Sequence, residues 1–236
     1  MKKGLTLFIA CQAFFFSTLF SFFNDNLSDK ELSVYRISEG HNVLLVTENI
    51  ELINTRNVVY HRISLNGSDG GTAEILLIKD KMLPYQAVYY NEKKEIISKV
   101  IYREEEIEVS IPSKYIYYKY PYNNRQIWDY NTFFHLFRGY PFSKNEVILW
   151  SFYPDIKKSF QVYVKQVGEE DIFFLGKKTT AIVLESGAAG FVESILFPQI
   201  FKFWVQKDSP HLFIKFQGKN FIGVENLTEL IYYKAY

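Results

Sequence analysis

The segment 199–206 places Phe201, Phe203 and Val205 on one side of a β-strand and Ile200 and Trp204 on the other. Segment 72–79 does the same, with Ala73, Ile75 and Leu77 opposing Leu76 and Ile78. A sheet with one wet face would carry polar residues on alternate positions. Strands apolar on both sides need two coverings. One can be a helix or a second sheet. The other can be the inner wall of a curved sheet, where aromatic side chains suit an apolar ligand. The alternative is a sandwich whose two sheets pack directly on each other.

Strand signals recur along the chain. Phe160, Val162 and Val164 alternate with Gln161, Tyr163 and Lys165, and Leu212, Ile214 and Phe216 alternate with Phe213, Lys215 and Gln217. Further strand-like runs cover 42–54, 57–66, 72–79, 86–92, 95–103, 106–111, 146–153, 177–185, 199–206 and 228–234. Turn residues separate them, as in Asn66-Gly67-Ser68-Asp69-Gly70-Gly71 and Lys207-Asp208-Ser209-Pro210. The expected fold is mainly β: a curved antiparallel sheet or half-open β-barrel of about a dozen strands, with one or two short helices. The stretch from Ile127 to Arg138 lacks alternation and predicts a helix lying on the sheet. Asp129 is its expected N-cap, Gly139 the residue past its end and Pro141 the stop. Tyr130, Phe134 and Phe137 form its apolar stripe. A second short helix or wide turn is expected at 187–196.

The N-terminus reads as an export signal. Lys2 and Lys3 precede an uncharged apolar run from Leu5 to Phe23. Residues 1–23 are expected to be a signal peptide, or else an N-terminal anchor, followed by a single β-rich domain over 28–236. Cys11 resembles a lipidation cysteine only poorly, because the apolar run continues past it. As the lone cysteine, it excludes an intramolecular disulfide and a multi-thiolate metal site. Removing Lys2 and Lys3 from 27 basic residues leaves 25 against 26 acidic ones, a net charge of −1. That balance argues against nucleic acid as a partner.

Catalytic signals are weak. His41, His61, His135 and His211 show no metal-ligand spacing, and no Gly-x-Ser-x-Gly elbow is present. Asp129 and His135 lie six residues apart and do not share a helical face well. A half-exposed helical position is expected for His135, and a turn hydrogen bond for His211. No metal and no cofactor are expected. Arg138 can either bind helix-end carbonyls or hold a ligand's carboxylate or phosphate by a bidentate fork. The interleaved stretch from Lys114 to Tyr122 suits a tyrosine ladder on a glycan, or a strand docked on its own core.

Asp129-Tyr130-Asn131-Thr132-Phe133-Phe134 and Leu136-Phe137-Arg138-Gly139-Tyr140-Pro141-Phe142 resemble the helix-and-turn signature of an uncharacterised family of exported bacterial proteins, a domain of unknown function. Phe203-Trp204-Val205, Asp208-Ser209-Pro210-His211, Phe216-Gln217-Gly218 and Glu229-Leu230 resemble its closing strands, and Leu83-Pro84-Tyr85 its early strand entry. The resemblance covers roughly residues 75–234. It implies a half-open barrel similar to the periplasmic carriers of lipoproteins, an envelope location and no enzymatic activity. It also implies that Asp129, Gly139, Pro141, Asp208, Pro210 and His211 are structural.

The expected function is therefore an exported, periplasmic or envelope-associated, membrane-proximal, monomeric binding protein for a lipid-like or apolar ligand. Trp128, Phe134, Arg138, Trp150 and Trp204 are its candidate groove residues. The alternatives are an assembly module that meets another envelope protein by strand addition, and an envelope hydrolase built on His135, Asp129 and a serine.

Overall fold

The computed structural model describes residues 26–122, 127–129, 132–140, 146–154, 157–190, 194, 198–219 and 223–236. The expected signal or anchor, Pro141 and most of the second expected helix lie outside the described residues. The fold opens with strands β1 (Lys30–Glu39), β2 (Asn42–Asn54), β3 (Val59–Gly67), β4 (Thr72–Ile78), β5 (Leu83–Tyr90), β6 (Ile96–Tyr102), β7 (Glu106–Ile111) and β8 (Ile116–Pro121), with apolar alternation marking most of those after β1. After β9 (Ile127–Asp129) comes the helix α1 (Phe133–Arg138). The chain then forms β10 (Glu146–Tyr153), β11 (Lys158–Phe174), β12 (Lys177–Ala188), β13 (Phe201–Gln206), β14 (Phe213–Lys219) and β15 (Glu225–Ala235).

All fifteen strands belong to one sheet, ordered β8-β7-β6-β5-β4-β3-β2-β1-β15-β14-β13-β12-β11-β10-β9. A single continuous sheet excludes the two-sheet sandwich. Strand β1 is the pivot, pairing with β2 on one side and with β15 on the other. Every pairing is antiparallel except β9 with β10, so the purely antiparallel expectation needs that one correction.

The sheet curls until its ends approach each other. Tyr118 of β8 donates to the Pro154 carbonyl at 2.6 Å, and the Tyr120 hydroxyl lies 2.7 Å from Ser159 Oγ. A core cluster of Val100, Val109, Ile127 and Phe152 joins residues from both arms there. The Tyr118 and Tyr120 rings pack on it, which settles the tyrosine-rich stretch as a strand docked on its own core.

The inner face is filled largely by the chain itself. Phe133, Leu136 and Phe137 of α1 pack with Ile50, Ile63, Ile75 and Leu77 from one arm and Leu184, Phe203 and Val205 from the other. Along β12, Ile182 and Leu184 face this core, while Ala181 and Val183 face a separate cluster with Trp204, Leu212 and Ile214. Both faces of these strands are thus covered. Gly218 makes room for a ring on the inner wall. A Cβ there would fall 2.4 Å from Phe201, which stacks on Phe216 at 5.7 Å between centroids.

Three local expectations are corrected. Asp129 is not the N-cap of α1, because the backbone is still extended there to pair with Phe152; Thr132 takes the cap position, without a side-chain bond. His135 is buried, because α1 turns it toward the sheet. Gly187 and Ala188 continue β12 opposite Tyr163 and Val162, so the second helix starts later than residue 187; Ser194 is helical, its N–H donating to the Gly190 carbonyl at 2.8 Å.

If α1 is the central filler of the barrel, Phe137→Ala will cost about 3–5 kcal/mol, as for other fully buried aromatics. Urea unfolding followed by circular dichroism measures it. A loss below about 1 kcal/mol would show that the helix packs loosely.

Candidate functional site

Antiparallel order assigns each turn to one of two rims. The basal rim carries residues 26–29 and the connections β2–β3, β4–β5, β6–β7, β11–β12 and β13–β14. The distal rim carries the connections β1–β2, β3–β4, β5–β6, β7–β8 and β14–β15. The two rims differ in chemistry.

The basal rim is closed by Arg138. Its Nη1 donates to Glu31 Oε2 at 2.7 Å and its Nη2 to Glu31 Oε1 at 3.0 Å, a bidentate fork with both side chains buried. Nη2 also donates to the carbonyls of Asn26 at 2.8 Å and Pro210 at 3.3 Å. Asn26 Nδ2 returns a bond to the Arg138 carbonyl at 2.6 Å. One guanidinium thus ties together the end of α1, the entry to β1 and the β13–β14 loop. The clamp is neither of the two roles expected for Arg138: its fork holds the chain's own Glu31, and the carbonyls it reaches belong to Asn26 and Pro210 and not to the helix end.

Deeper in the barrel lies a buried polar group. His135 Nε2 is 3.4 Å from Glu48 Oε2. Burial pushes the Glu48 carboxyl up to about 8; the Arg138 charge opposes the shift and Glu31 adds to it. Burial, then the charges of Arg138 and His61, push His135 down to about 3. Near neutral pH this contact therefore joins an uncharged acid to an uncharged imidazole. Tyr35 faces the same carboxyl, and burial followed by the Glu48 charge raises its hydroxyl well above the ordinary value.

Toward the distal rim the inner wall is apolar and only half-buried. Leu65 and Tyr89 lie there on one arm, Val147, Phe201 and Phe216 on the other, and Phe134 at the start of α1. Phe134 sits 4.5 Å from Phe213 and 5.9 Å from Phe216 between ring centroids. Glu48 is paired across the strands with Leu65, so the neutral acid borders this aromatic mouth.

The expected groove residues do not gather in one place. Phe134 lines the mouth. Trp128 is fully buried and donates to the Met82 carbonyl at 3.1 Å, on the basal side. Trp150 packs against the seam cluster. Trp204 lies on the opposite face of β13, where it donates to Glu170 at 2.8 Å beneath the Lys215 ammonium. Gly139 follows the helix, its N–H donating to the Leu136 carbonyl at 2.8 Å. The Asp208 carbonyl accepts from the His211 N–H, and His211 Nδ1 lies 3.1 Å from the Gln206 carbonyl.

Sequence reasoning missed Glu31, Tyr35 and Glu48. The available signal was the alternation of Glu31, Ser33 and Tyr35 along β1, which reads as an outer face when polarity alone is considered. Among the described residues, no group of three or more His, Cys, Asp or Glu is placed to hold a metal ion.

No protein-family model and no curated protein matches this sequence. Solved structures do match. A beta-barrel-like protein of domain of unknown function DUF1849 from Brucella abortus superposes with a TM-score of 0.54 at 10% identity, covering 88% of this chain and 98% of its own. The hypothetical lipoprotein YmcC from Escherichia coli superposes more loosely, with a TM-score of 0.35 at 8% identity over 86% and 87% of the two chains. Lipoprotein LppX from Mycobacterium tuberculosis gives 0.27 at 8% identity over 93% of each. The first likeness establishes a shared fold, and it is the curved barrel that the sequence resemblance implied.

Two predictions follow from the polar interior. Arg138→Met leaves Glu31 buried without its partner and should destabilise the protein by about 3–5 kcal/mol, whereas Arg138→Met with Glu31→Met should recover much of that loss. Thermal and urea unfolding of the three proteins measures the difference. The second concerns pH. Glu48 titrates near 4.5 when unfolded and about 8 when folded, so the folded state holds the extra proton between those values. Its contribution to stability is complete below 4.5 and is lost as pH rises toward 8. His135 titrates near 6.5 unfolded and about 3 folded, so its neutral burial favours the fold above 6.5 and penalises it as pH falls toward 3. The two slopes oppose each other in the overlap, leaving a decline above pH 6.5 that Glu48→Gln should flatten. An unchanged decline in that variant would mean that Glu48 is ionised in the fold.

Proposed function

We propose that this chain is an exported cell-envelope protein that binds a lipid-like or other apolar ligand at the distal mouth and catalyses no reaction. The observation that carries this reading is the half-buried apolar wall of Leu65, Tyr89, Phe134, Val147, Phe201 and Phe216 toward one rim, whereas the basal rim leaves Leu83 of the same cluster partly exposed. A plain scaffold gains nothing from keeping apolar side chains partly wet. A ligand that covers them gains about 25 cal/mol per Å² of apolar surface removed from water. The ligand does not run the length of the barrel, because α1 fills the basal half. It enters from the distal rim and stops at the helix. Glu48, neutral and bordering Leu65, offers a hydrogen bond that orients a polar end without demanding a charge.

Export is supported by Lys2 and Lys3 ahead of the uncharged run from Leu5 to Phe23. The hydrolase reading gains little support: His135 is turned onto Glu48, while Asp129 belongs to strand β9. The assembly reading draws on edge strand β8, whose Tyr117 is exposed and whose outer edge has no partner strand among the described residues.

Native mass spectrometry of protein purified from the cell envelope tests the proposal. The expected result is a co-purifying apolar molecule, depleted about tenfold in Phe216→Asn, a change of roughly 1.4 kcal/mol in affinity. Ligand-free protein in repeated preparations, with no binding of added fatty acid or phospholipid, would overturn it.

A further inference from the structure

The β11–β12 hairpin presents at its tip two apolar side chains, Phe173 and Leu175, that the mouth and the core do not use. Strand β13 pairs with β12 only from Ala181 to Ser186, whereas β11 and β12 remain paired out to Phe174 and Lys177. The last turn of this ribbon therefore projects from the basal rim. One face of the ribbon is pinned up to the turn, because Phe174, its last paired residue, and Ile172 pack with Trp204 and Leu212. On the other face of the ribbon Phe173 is 81% exposed, and Leu175 in the turn is 43% exposed.

Leu175 is also out of place conformationally. It has φ 45° and is followed by Gly176 at φ 76°, a two-residue turn whose first position favours asparagine, aspartate or glycine. An apolar side chain held there is exposed and strained at once, and a polar residue would relieve both. The nearby acidic groups are engaged within the ribbon's own surroundings. Asp171 pairs with Lys178 at 2.8 Å, Glu169 with Lys207 at 2.7 Å, and Glu170 accepts from Trp204. Phe173 and Leu175 are thus presented beside exposed Lys177 and Lys178. Apolar side chains flanked by lysines suit the boundary between lipid headgroups and acyl chains.

The position of the chain's start points the same way. Asn26 is clamped by Arg138 at the same basal rim, four strand positions along the sheet from β12. That is about 20 Å at the usual strand spacing. The apolar run from Leu5 to Phe23 ends just before it. A membrane that held this run would meet the basal rim and the hairpin together.

We infer that the basal rim docks on a lipid bilayer surface through Phe173 and Leu175, leaving the distal mouth facing away from that membrane. The inference is independent of what the mouth binds. Apolar insertion carries most of the contact and the flanking lysines add attraction to anionic headgroups, so raising the salt concentration should weaken it without abolishing it.

The test uses the full chain with Cys11→Ser and one introduced cysteine carrying an environment-sensitive fluorophore. Lys177→Cys places the label beside the hairpin tip, and Lys114→Cys places it in the exposed β7–β8 turn of the distal rim. Each protein is mixed with vesicles of phosphatidylethanolamine and phosphatidylglycerol containing a spin-labelled acyl chain. Quenching at 177 should exceed that at 114 about fivefold or more, with a blue-shifted emission at 177 alone. Adding Phe173→Ser and Leu175→Ser should remove the difference, and these exposed changes leave the fold intact. Equal quenching at both positions, a label at 177 that stays in water on vesicle-bound protein, or quenching that survives the double serine variant would each overturn the inference. So would failure of the chain to bind these vesicles.

Discussion

The buried pairing of Arg138 with Glu31 organises the rest of the barrel. A guanidinium taken out of water needs partners for its donors, and here two carboxylate oxygens and two backbone carbonyls take the Nη donors, while the buried Nε has none. Glu31 sits on β1, the strand that joins the two arms of the sheet. Arg138 ends the helix that fills the space between those arms. Their contact therefore fixes where the filler lies relative to the pivot. Hydrophobic packing alone would fix it weakly, because Phe133, Phe134 and Phe137 are similar in shape and could exchange places through a small rotation of α1. A charge pair with a planar fork permits one arrangement.

The second constraint is the double-sided apolar character of the strands. Inner-face residues such as Ile182, Leu184 and Phe203 are satisfied by α1 and the opposite arm. Outer-face residues such as Val183 and Trp204 are satisfied by Leu212 and Ile214. At the seam the two sheet ends meet through the hydroxyls of Tyr118 and Tyr120 and the rings beneath them. The high aromatic content is divided among these tasks. Only part of it remains for the mouth.

Much of the sheet was legible in the sequence. The runs 42–54, 106–111 and 146–153 coincide with β2, β7 and β10 at both ends, because apolar alternation and turn residues agree there. Strand β1 was not legible. Its inward side carries Glu31 and Ser33, whose burial depends on a partner 107 residues away in the first case. Strand β9 has three residues, too few for a period to show, and Asp129 at its end mimics a helix cap. The mouth was half legible. Alternation separates Phe203 from Trp204, yet it cannot say which of the two faces is concave, so Trp204 looked equivalent to Phe134. Curvature decides that question, and curvature follows from the whole strand order.

The contrast between the two rims carries the functional argument furthest. At the basal end the Glu31 carboxylate and two backbone carbonyls are taken by the Arg138 Nη donors, so the interior offers little to a small ligand entering from that side. At the distal end the wall is apolar and partly wet, and the nearest acid is neutral because burial denies it a charge. Water entering the mouth meets rings on which it can make few hydrogen bonds. An apolar molecule would displace that water, and the protonated Glu48 carboxyl has an O–H to donate to an acceptor at its polar end.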